Sequence, residues 1–297
     1  MIKNICFINN FNSELFIREC LVSVYSQTKP FDAVLVVDDG STDSSVKIIE
    51  EFSLMHPNLK LFQKENGGQF SSFNFILPHI PDHAQIFLLD GDDLYPHDFL
   101  ANALSILGTE GWDFAFCEQQ VFLTGTAPPE TSVINNDSPQ FFSSTSALTR
   151  SRGCWIGNPT SCLSLSSTLF KKIFPYPHYQ YKSFWADNLM IYAASILGAK
   201  KVHLSSLGIA WRKHAVNFSS RQYTPQDIVM RERAIEEAFT WYCSKYNISR
   251  HPSIREFFQE YDQLGSVWQK RLDLPSRYRM LNRLLRKSLQ QTFTKRT

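Results

Sequence analysis

Residues 33–41 read AVLVVDDGS, an apolar run that stops at two aspartates followed by turn-forming residues. A short continuous apolar run of this kind is typical of a strand buried on both faces of a parallel sheet. The run at residues 5–8 predicts an earlier strand, and the helical spacing of apolar residues between Ser13 and Ser26 predicts the helix that connects the two. The order strand, helix, strand indicates the beginning of a parallel α/β sheet.

The alternation of apolar strands and amphipathic helices continues through the first half of the chain. Its next predicted elements are a helix from about Asp43, a strand at 59–62, a helix at 70–77 and a strand at 85–89. Because parallel strands are joined by right-handed crossovers, such a series builds a mostly parallel sheet flanked by helices. The predicted fold class is therefore α/β.

The second half of the sequence is less regular. Residues 128–149 are rich in Pro, Ser, Thr and Asn, which predicts a long surface loop. The later predicted elements are an apolar run at 161–165, a helix at 187–197, strands at 201–204 and 207–211, and helices from about 225 onward. The α/β part is thus expected to be followed by a helical C-terminal extension.

Composition limits the classes of protein to which the chain could belong. Its 297 residues, 43% hydrophobic and 20% charged, suffice for one large core with a helical appendage. The six cysteines lack the regular spacing of a disulfide or zinc framework, which predicts reduced thiols and a cytoplasmic location. No apolar stretch approaches the ~20 residues that a membrane-spanning helix needs. Any contact with a membrane is therefore expected at its surface.

Two acidic clusters follow predicted strands. Asp38 and Asp39 end one strand, and the sequence DGDD at residues 90–93 ends another. Ligands of open α/β sheets bind at the carboxyl ends of the strands. Adjacent carboxylates repel one another unless a cation binds, and Mg²⁺ or Mn²⁺ accepts carboxylate together with phosphate oxygens. The alternatives are a turn with a helix cap at the first cluster and a solvated surface loop at the second.

Short motifs in a fixed order carry a family resemblance. They are VDDGSTD at 37–43, NGG at 66–68 with Asn74, LDGDD at 89–93, GNPTS at 157–161, WAD at 185–187 and WRKH at 211–214. Together they resemble glycosyltransferase family 2 over roughly residues 1–220. The resemblance implies a Rossmann-like GT-A fold, a nucleotide-sugar donor, Mn²⁺ or Mg²⁺ as cofactor, and an inverting single displacement.

The resemblance also assigns roles to single residues. The residues expected to bind the nucleotide sugar are Asn9, Asp38, Asp39, Asn66, Gly67, Asp90, Gly91 and Asp92. Asp92 and His214 match metal-binding positions, and Asp90 is a further candidate ligand. Asp187 matches the catalytic base that takes the proton of the acceptor hydroxyl, although an aspartate at a helix start is also a common N-cap. Trp155 and Trp185 are expected on the acceptor side, where aromatic faces pack on sugar rings or fill a core.

The domain division that follows has a nucleotide-binding half at about 1–117, an acceptor half at about 118–220, and a helical extension at 221–297. Three features depart from the family pattern. Ala186 precedes Asp187 where many members have a second acid, and Phe73 precedes Asn74 where many have arginine. The Gln-x-x-Arg-Trp sequence of processive members does not occur. The sequence therefore predicts a non-processive hexosyl- or N-acetylhexosaminyl-transferase.

The C-terminal segment is strongly basic. Residues 266–297 hold nine Lys or Arg against one acid, although the whole chain carries a formal charge of only +2. Within 276–291, apolar residues recur at helical spacing between basic ones, which predicts a basic amphipathic helix. Such a helix could contact an anionic membrane at its inner face, or pack on the catalytic domain or on a second subunit of a homo-oligomer. Nucleic acid is not expected as a partner, because the rest of the chain is acidic.

The sequence is compatible with three functions. The leading hypothesis is an inverting transferase that uses a UDP-sugar and a carbohydrate, lipid-linked or protein acceptor, in the synthesis of a bacterial surface glycan, glycolipid or glycoprotein. The second is a non-catalytic protein that binds nucleotide sugars or acts as a scaffold. The third is a dinucleotide-dependent oxidoreductase, which the lack of a G-x-G-x-x-G turn after the first strand disfavours.

Overall fold

A mixed sheet of eight strands forms the centre of the structure, a computed structural model that describes residues 2–108, 111–178, 184–214 and 223–274. The strands are β1 (Lys3–Asn10), β2 (Ala33–Asp38), β3 (Leu59–Gln63), β4 (Ala84–Asp90), β5 (Phe114–Leu123), β6 (Gln140–Phe142), β7 (Leu163–Ser166) and β8 (Lys201–Lys213). Their order across the sheet is β3-β2-β1-β4-β7-β5-β8-β6. Strands β3, β2, β1 and β4 run parallel, as do β5 and β8. Strands β7 and β6 pair antiparallel with their neighbours.

The winding of the sheet reverses at β1. The chain passes from β1 outward through β2 to β3, then returns to place β4 on the other side of β1. A crevice opens beyond the carboxyl ends of the strands at such a switch point, which is where open α/β sheets bind ligands. The predicted α/β fold class and mostly parallel sheet are confirmed.

Ten helices cover the sheet within the described ranges. They are α1 (Ile17–Tyr25), α2 (Ser45–Ser53), α3 (Gln69–Ile76), α4 (Phe99–Leu107), α5 (Ser146–Arg152), α6 (Ser167–Ile173), α7 (Ala186–Ile196), α8 (Pro225–Lys245), α9 (Ile254–Gln263) and α10 (Gly265–Arg271). Alternate strand residues face opposite layers. In β1, Phe7 joins the core cluster with α3 and the later helices, whereas Ile8 joins the cluster with α1, α2 and α4. Both faces of the sheet are thus covered.

Two predictions in the second half of the chain were wrong. The expected surface loop at 128–149 contains β6 and the beginning of α5, and Ala147 and Leu148 are buried there. Strand β6 pairs with β8 at the far edge of the sheet, a long-range contact that local composition does not reveal. The two strands expected at 201–204 and 207–211 form one strand, β8, because it continues along β5 across a register shift after Cys117.

The C-terminal helices belong to the same core as the sheet. Helix α8 begins with a capping box formed by Thr224 and Asp227. The buried side chains of Phe239 and Tyr242 in α8, and of Trp268 in α10, lie in the core cluster that contains β1 and α7. The C-terminal helices therefore pack directly on the α/β part. The division of the chain near residue 220 stays a prediction.

Several predictions concern the compartment and the C-terminus. All six cysteines are free and buried, so none of them forms a disulfide. Within the described ranges, no helix combines the length and apolarity needed to cross a bilayer. The basic amphipathic segment at 276–291 lies outside the described residues. Its contact with a membrane, the cytoplasmic location and a homo-oligomer all stay predictions.

Candidate active site

The register of three parallel strands brings the two acidic clusters to one edge of the sheet. Asn10 at the end of β1 lies opposite Asp38 at the end of β2. On its other side, β1 places Asn9 opposite Asp90 at the end of β4. The sequence put these clusters some fifty positions apart, and adjacent strands join them at the switch point.

Asp38 and Asp39 are buried, and their carboxylates accept hydrogen bonds from the neighbouring strand end and loops. Asp38 accepts hydrogen bonds from Asn10 Nδ2 at 2.7 Å and from the backbone N–H of Ser41 at 2.8 Å. Asp39 accepts from the backbone N–H groups of Gly67 at 3.0 Å and Gly68 at 2.7 Å. The two aspartates are 1% and 3% exposed, respectively. These contacts fix the shape of the strand ends around the crevice, and a role of either residue toward a nucleotide stays a prediction.

The loop that contains the NGG sequence is folded against Asp39. Asn66 Nδ2 donates to the backbone carbonyl of Asp39 at 2.9 Å. The Lys64 ammonium forms an ion pair with the Asp39 carboxylate, and the Lys64 side chain is only 13% exposed. Lys64 and Asp39 are 25 positions apart in the chain, so this contact follows from the tertiary structure. Gly40 permits this approach, since its φ is +75° and a Cβ there would lie 2.7 Å from the Asn66 nitrogen.

Two amide oxygens at the end of β1 are unsatisfied. Asn9 Oδ1 and Asn10 Oδ1 are buried and have no hydrogen-bond partner among the described residues. A buried acceptor without a partner costs free energy, so such atoms commonly mark a place where a ligand supplies a donor. A Cβ at Gly91 would lie 2.6 Å from Asn10 Oδ1, so only glycine leaves this oxygen its space. The end of β1 thus fits a ligand that carries N–H or O–H groups.

The carboxylates of the DGDD sequence have different surroundings. Asp93 is buried, and its carboxylate accepts from Ser161 Oγ at 2.6 Å and from the Arg212 backbone N–H at 2.9 Å. Asp92 is partly exposed, and its Oδ2 lies 2.8 Å from His214 Nε2. Asp90 accepts from Gln69 Nε2 at 3.1 Å. Asp93 therefore anchors the turn to the neighbouring strands, while Asp92 faces the crevice with His214.

The carboxylates at this strand end destabilise one another's charged forms. Burial raises the pKa of Asp90 and of Asp93 well above the usual range, and the Asp92 carboxylate raises both further. A cation bound at this edge would reverse that repulsion. The site therefore has an electrostatic preference for a positively charged ligand.

Asp92 and His214 fit a divalent cation. Their facing atoms are 2.8 Å apart, a hydrogen-bonding distance, so a cation that replaced the shared proton would contact both. Carboxylate oxygen suits both Mn²⁺ and Mg²⁺. Among the described residues, no cluster of three or more His, Cys, Asp or Glu could hold a metal alone. The protein would thus supply two ligands here, and the remaining ones would come from a bound phosphate group and water.

Asp187 lies at the amino end of α7, a helix whose eleven residues are all buried. The residue that caps α7 is Trp185, so the interpretation of Asp187 as an N-cap was wrong. The helix begins at Ala186, which places the Asp187 carboxylate inside the first turn, where the helix dipole favours negative charge. Its Oδ1 accepts hydrogen bonds from the backbone N–H of Asn188 at 2.6 Å and from Asn188 Nδ2 at 2.8 Å.

The pKa of the Asp187 carboxyl is shifted toward neutral pH. Burial raises the pKa of this carboxyl to about 6, although the hydrogen bonds from Asn188 and the charge of Arg231 oppose the rise. Among the described residues, the hydrogen bonds to the carboxylate all go to Oδ1, which leaves Oδ2 for a ligand. A carboxylate with a pKa close to the working pH is suited to accept a proton and to release it again.

Gln69 connects the two halves of the crevice, and sequence reasoning missed it. Its Nε2 donates to Asp90 at 3.1 Å and to Thr160 Oγ1 at 3.3 Å, and its Oε1 accepts from the backbone N–H of Ala186 at 3.3 Å. One amide therefore joins the end of β4 to the start of α7. The available signal was its position directly after the NGG sequence, at the first residue of α3.

The two tryptophans predicted on the acceptor side are both partly buried. Trp185 is partly buried at the start of α7, next to the turn with Asp187. Trp155 is partly buried against the core cluster, and its indole N–H is buried without a partner among the described residues. The loop that follows Trp155 is anchored by Asn158, whose Oδ1 accepts from Arg271 of α10 at 2.9 Å. A contact of either tryptophan with a sugar stays a prediction.

Comparison with known proteins places this geometry in a family context. Residues 5–173 match the family model described as glycosyl transferase family 2. The glycosyltransferase alr2836 of Nostoc sp. is 25% identical over 212 residues, which are 71% of this chain and 64% of that protein. The minor teichoic acid biosynthesis protein GgaA of Bacillus subtilis is 34% identical over 115 residues, which are 37% of this chain and 24% of that protein. The chain thus spans less than two thirds of the length of these relatives.

Solved structures show the same fold. S. aureus TarS 1-349 in complex with UDP-GlcNAc superposes with a TM-score of 0.61 at 21% identity, covering 93% of this chain and 77% of the TarS 1-349 chain. The mannosyltransferase PcManGT from Pyrobaculum calidifontis, in complex with GDP-Man and Mn²⁺, superposes with a TM-score of 0.56 at 18% identity, covering 91% of this chain and 72% of that one. At these identities the likeness establishes the architecture alone.

Proposed function

Because the chain belongs to glycosyl transferase family 2, we propose that it is an inverting transferase that moves one sugar from a nucleoside diphosphate to an acceptor hydroxyl. The observation that carries the proposal is the junction at Gln69. Its amide links Asp90, which is close to Asp92 and His214 (the metal-type pair), to the turn that holds Asp187. A site for a charged leaving group and a site for a base therefore face the same crevice.

The donor would lie at the carboxyl ends of β1, β2 and β4. Asn9 and Asn10 have unsatisfied oxygens there, which would accept from the donors of a base or ribose. Asp92 and His214 would hold Mn²⁺ or Mg²⁺. The bound cation would supply charge stabilisation for the departing diphosphate. UDP is the expected nucleotide, and the transferred group is a hexosyl or N-acetylhexosaminyl residue.

Asp187 would act as the base in a single displacement. Its Oδ2 accepts the proton of the acceptor hydroxyl as the acceptor oxygen bonds to the anomeric carbon. The bond from that carbon to the diphosphate oxygen breaks in the same step, with inversion. The raised pKa of Asp187, about 6, leaves the group ionised near pH 7 yet basic enough to take a proton.

The acceptor is proposed only by class: a carbohydrate, lipid-linked or protein hydroxyl in the synthesis of a bacterial surface glycan, glycolipid or glycoprotein. The match to a teichoic acid biosynthesis protein supports this class. A non-processive enzyme at the inner face of the membrane, reached through the segment 276–291, is part of the same proposal.

Ligand-dependent stability tests the donor part of the proposal. The melting temperature of the purified protein would be measured with UDP, GDP, CDP, TDP and NAD, each with and without Mn²⁺. We expect one nucleoside diphosphate to stabilise the protein only when Mn²⁺ is present, by about 2.7 kcal/mol at 100 times its dissociation constant. Stabilisation by NAD alone would favour an oxidoreductase. Folded protein that responds to none of these ligands would contradict the proposal and favour a scaffold.

Gln69→Leu is expected to lower kcat about 10-fold or more, because the variant loses the hydrogen bonds to Asp90 and from the Ala186 backbone and releases the start of α7. The change keeps the approximate side-chain volume. The assay is initial-rate kinetics with the nucleotide sugar identified above. Gln63→Leu is the matched control, since Gln63 is exposed at the end of β3. Equal kcat values for the two variants would show that the Gln69 junction does not position the reacting groups.

A further inference from the structure

Asp187 is connected to the C-terminal extension through one intervening side chain. Asn188 Nδ2 donates to Asp187 Oδ1 at 2.8 Å. At its other end, Asn188 Oδ1 accepts from the Arg231 guanidinium at 2.9 Å. Arg231 lies in α8, which packs against α7. The three side chains form a continuous series from the start of α7 to α8 in the C-terminal part of the chain.

The chemistry of these groups fixes the direction of every hydrogen bond. A guanidinium only donates, and an ionised carboxylate only accepts. The amide of Asn188 satisfies both when its oxygen faces Arg231 and its NH₂ faces Asp187. A rotation of the amide by 180° would bring two donors together at one end and two acceptors at the other. Arg231 therefore holds Asn188 in the orientation that binds Asp187 Oδ1 and leaves Oδ2 without a bond from Asn188.

The surroundings of Arg231 favour this role over a general structural one. Arg231 is only partly exposed, and its Nε is buried without a hydrogen-bond partner among the described residues. Within that part of the chain, its guanidinium forms no ion pair with a carboxylate. A partly desolvated cation usually has an acidic partner. Here its hydrogen bond goes to a neutral amide beside the candidate base.

We propose that Arg231 is a positioning residue that orients the base Asp187 through Asn188, so that the C-terminal extension takes part in catalysis. This inference rests on the proposed function, because it assumes that Asp187 is the base. Within the described ranges, the charge of Arg231 in α8 favours the ionised form of Asp187, and the Asp187 carboxylate disfavours ionisation of Asp90 at the end of β4. Loss of Arg231 would remove a charge that favours the ionised form of Asp187 and would free the Asn188 amide to rotate.

The experiment is a double-mutant cycle on the full chain. Arg231→Met, Asn188→Ala and the double variant would be compared in kcat and in KM for the nucleotide sugar. We expect each single variant to lose about 10- to 100-fold in kcat, the effect of a hydrogen bond to a charged group, with KM for the donor unchanged. The double variant should lose no more than the worse single variant, because both changes break the same series. Arg231→Lys, which keeps a donor and a charge, should recover part of the rate.

Matched controls separate this inference from the proposed function. Arg233→Met changes an exposed arginine on the same helix and should keep full kcat. Melting temperatures would show that every variant is folded. Wild-type kcat in Arg231→Met, or losses that add in the double variant, would overturn the role of Arg231 while Asp187→Asn still abolishes transfer. Full transfer by Asp187→Asn would instead contradict the proposed function itself.

Discussion

Replacing Asp187 with asparagine is expected to slow sugar transfer by about 10²- to 10⁴-fold, the usual contribution of a general base. The asparagine keeps the shape of the side chain and an oxygen for the hydrogen bonds from Asn188. Its NH₂ group cannot take the proton of the acceptor hydroxyl. Donor binding should be unchanged, because Asp187 lies at α7 and the metal-type pair lies at the ends of β4 and β8. The measurement is kcat together with the dissociation constant of the nucleoside diphosphate.

The pH dependence of the wild-type protein gives a second check on Asp187. The base must be ionised to accept a proton, and burial raises its pKa to about 6. We therefore expect kcat/KM, which reports the free protein, to fall as the pH drops through this value and to level off above it. Asp187→Asn should lose this acidic limb. A limb that persists in the variant would assign it to another group.

The stability of Asp187→Asn should move in the opposite direction to its activity. In the wild-type protein the folded-state pKa of about 6 exceeds the ordinary 3.8, so the folded state retains a proton that the unfolded chain releases. Stability therefore falls as the pH rises between these values, by about 3 kcal/mol. Asparagine carries no charge and avoids this loss, so at pH 7 the variant should melt at or above the wild-type temperature. A lower melting temperature would show that Asp187 supports the fold.

Asp92→Asn is expected to remove most of the Mn²⁺ dependence of nucleotide binding. The change deletes a charged oxygen that faces His214. Loss of an outer-shell partner of a metal ligand already lowers metal affinity about 10- to 100-fold, so loss of a ligand should lower it at least as much. Asp92 is 26% exposed at its side chain, so the melting temperature without ligand should change little. Calorimetric titration of the favoured nucleoside diphosphate, with and without Mn²⁺, measures the effect.

Asp93→Asn is the matched control for Asp92→Asn. The same carboxylate-to-amide change is made one position along the chain, but Asp93 points into the protein toward Ser161 and the Arg212 backbone. This variant should keep Mn²⁺-dependent nucleotide binding, and any effect should appear in stability. If Asp93→Asn loses the metal dependence and Asp92→Asn keeps it, the ligand assignment at this turn is reversed.

Sequence patterns predicted the parts of the molecule that depend on local periodicity. The buried runs in β1, β2 and β4 and the apolar face of α1 follow from the spacing of apolar residues, and the structure confirms the α/β class. The acidic clusters were predicted at strand ends, where the structure places them. The loop expected at 128–149 was wrong, because β6 is stabilised by its pairing with β8 about sixty residues later.

The sequence by itself determined which chemical groups the crevice contains: aspartates at strand ends, a histidine at the end of the last strand, and an acid at the start of a buried helix. Only the tertiary structure decided which of these groups stabilise the fold and which are placed to take part in the reaction. Asp92 and Asp93 are neighbours of the same type, yet Asp93 is buried by strands that arrive later in the chain, and Asp92 stays beside His214. Gln69 and Arg231 gained their contacts in the same way. The physical reason is that burial and hydrogen bonding depend on distant segments, whereas residue type and periodicity are local.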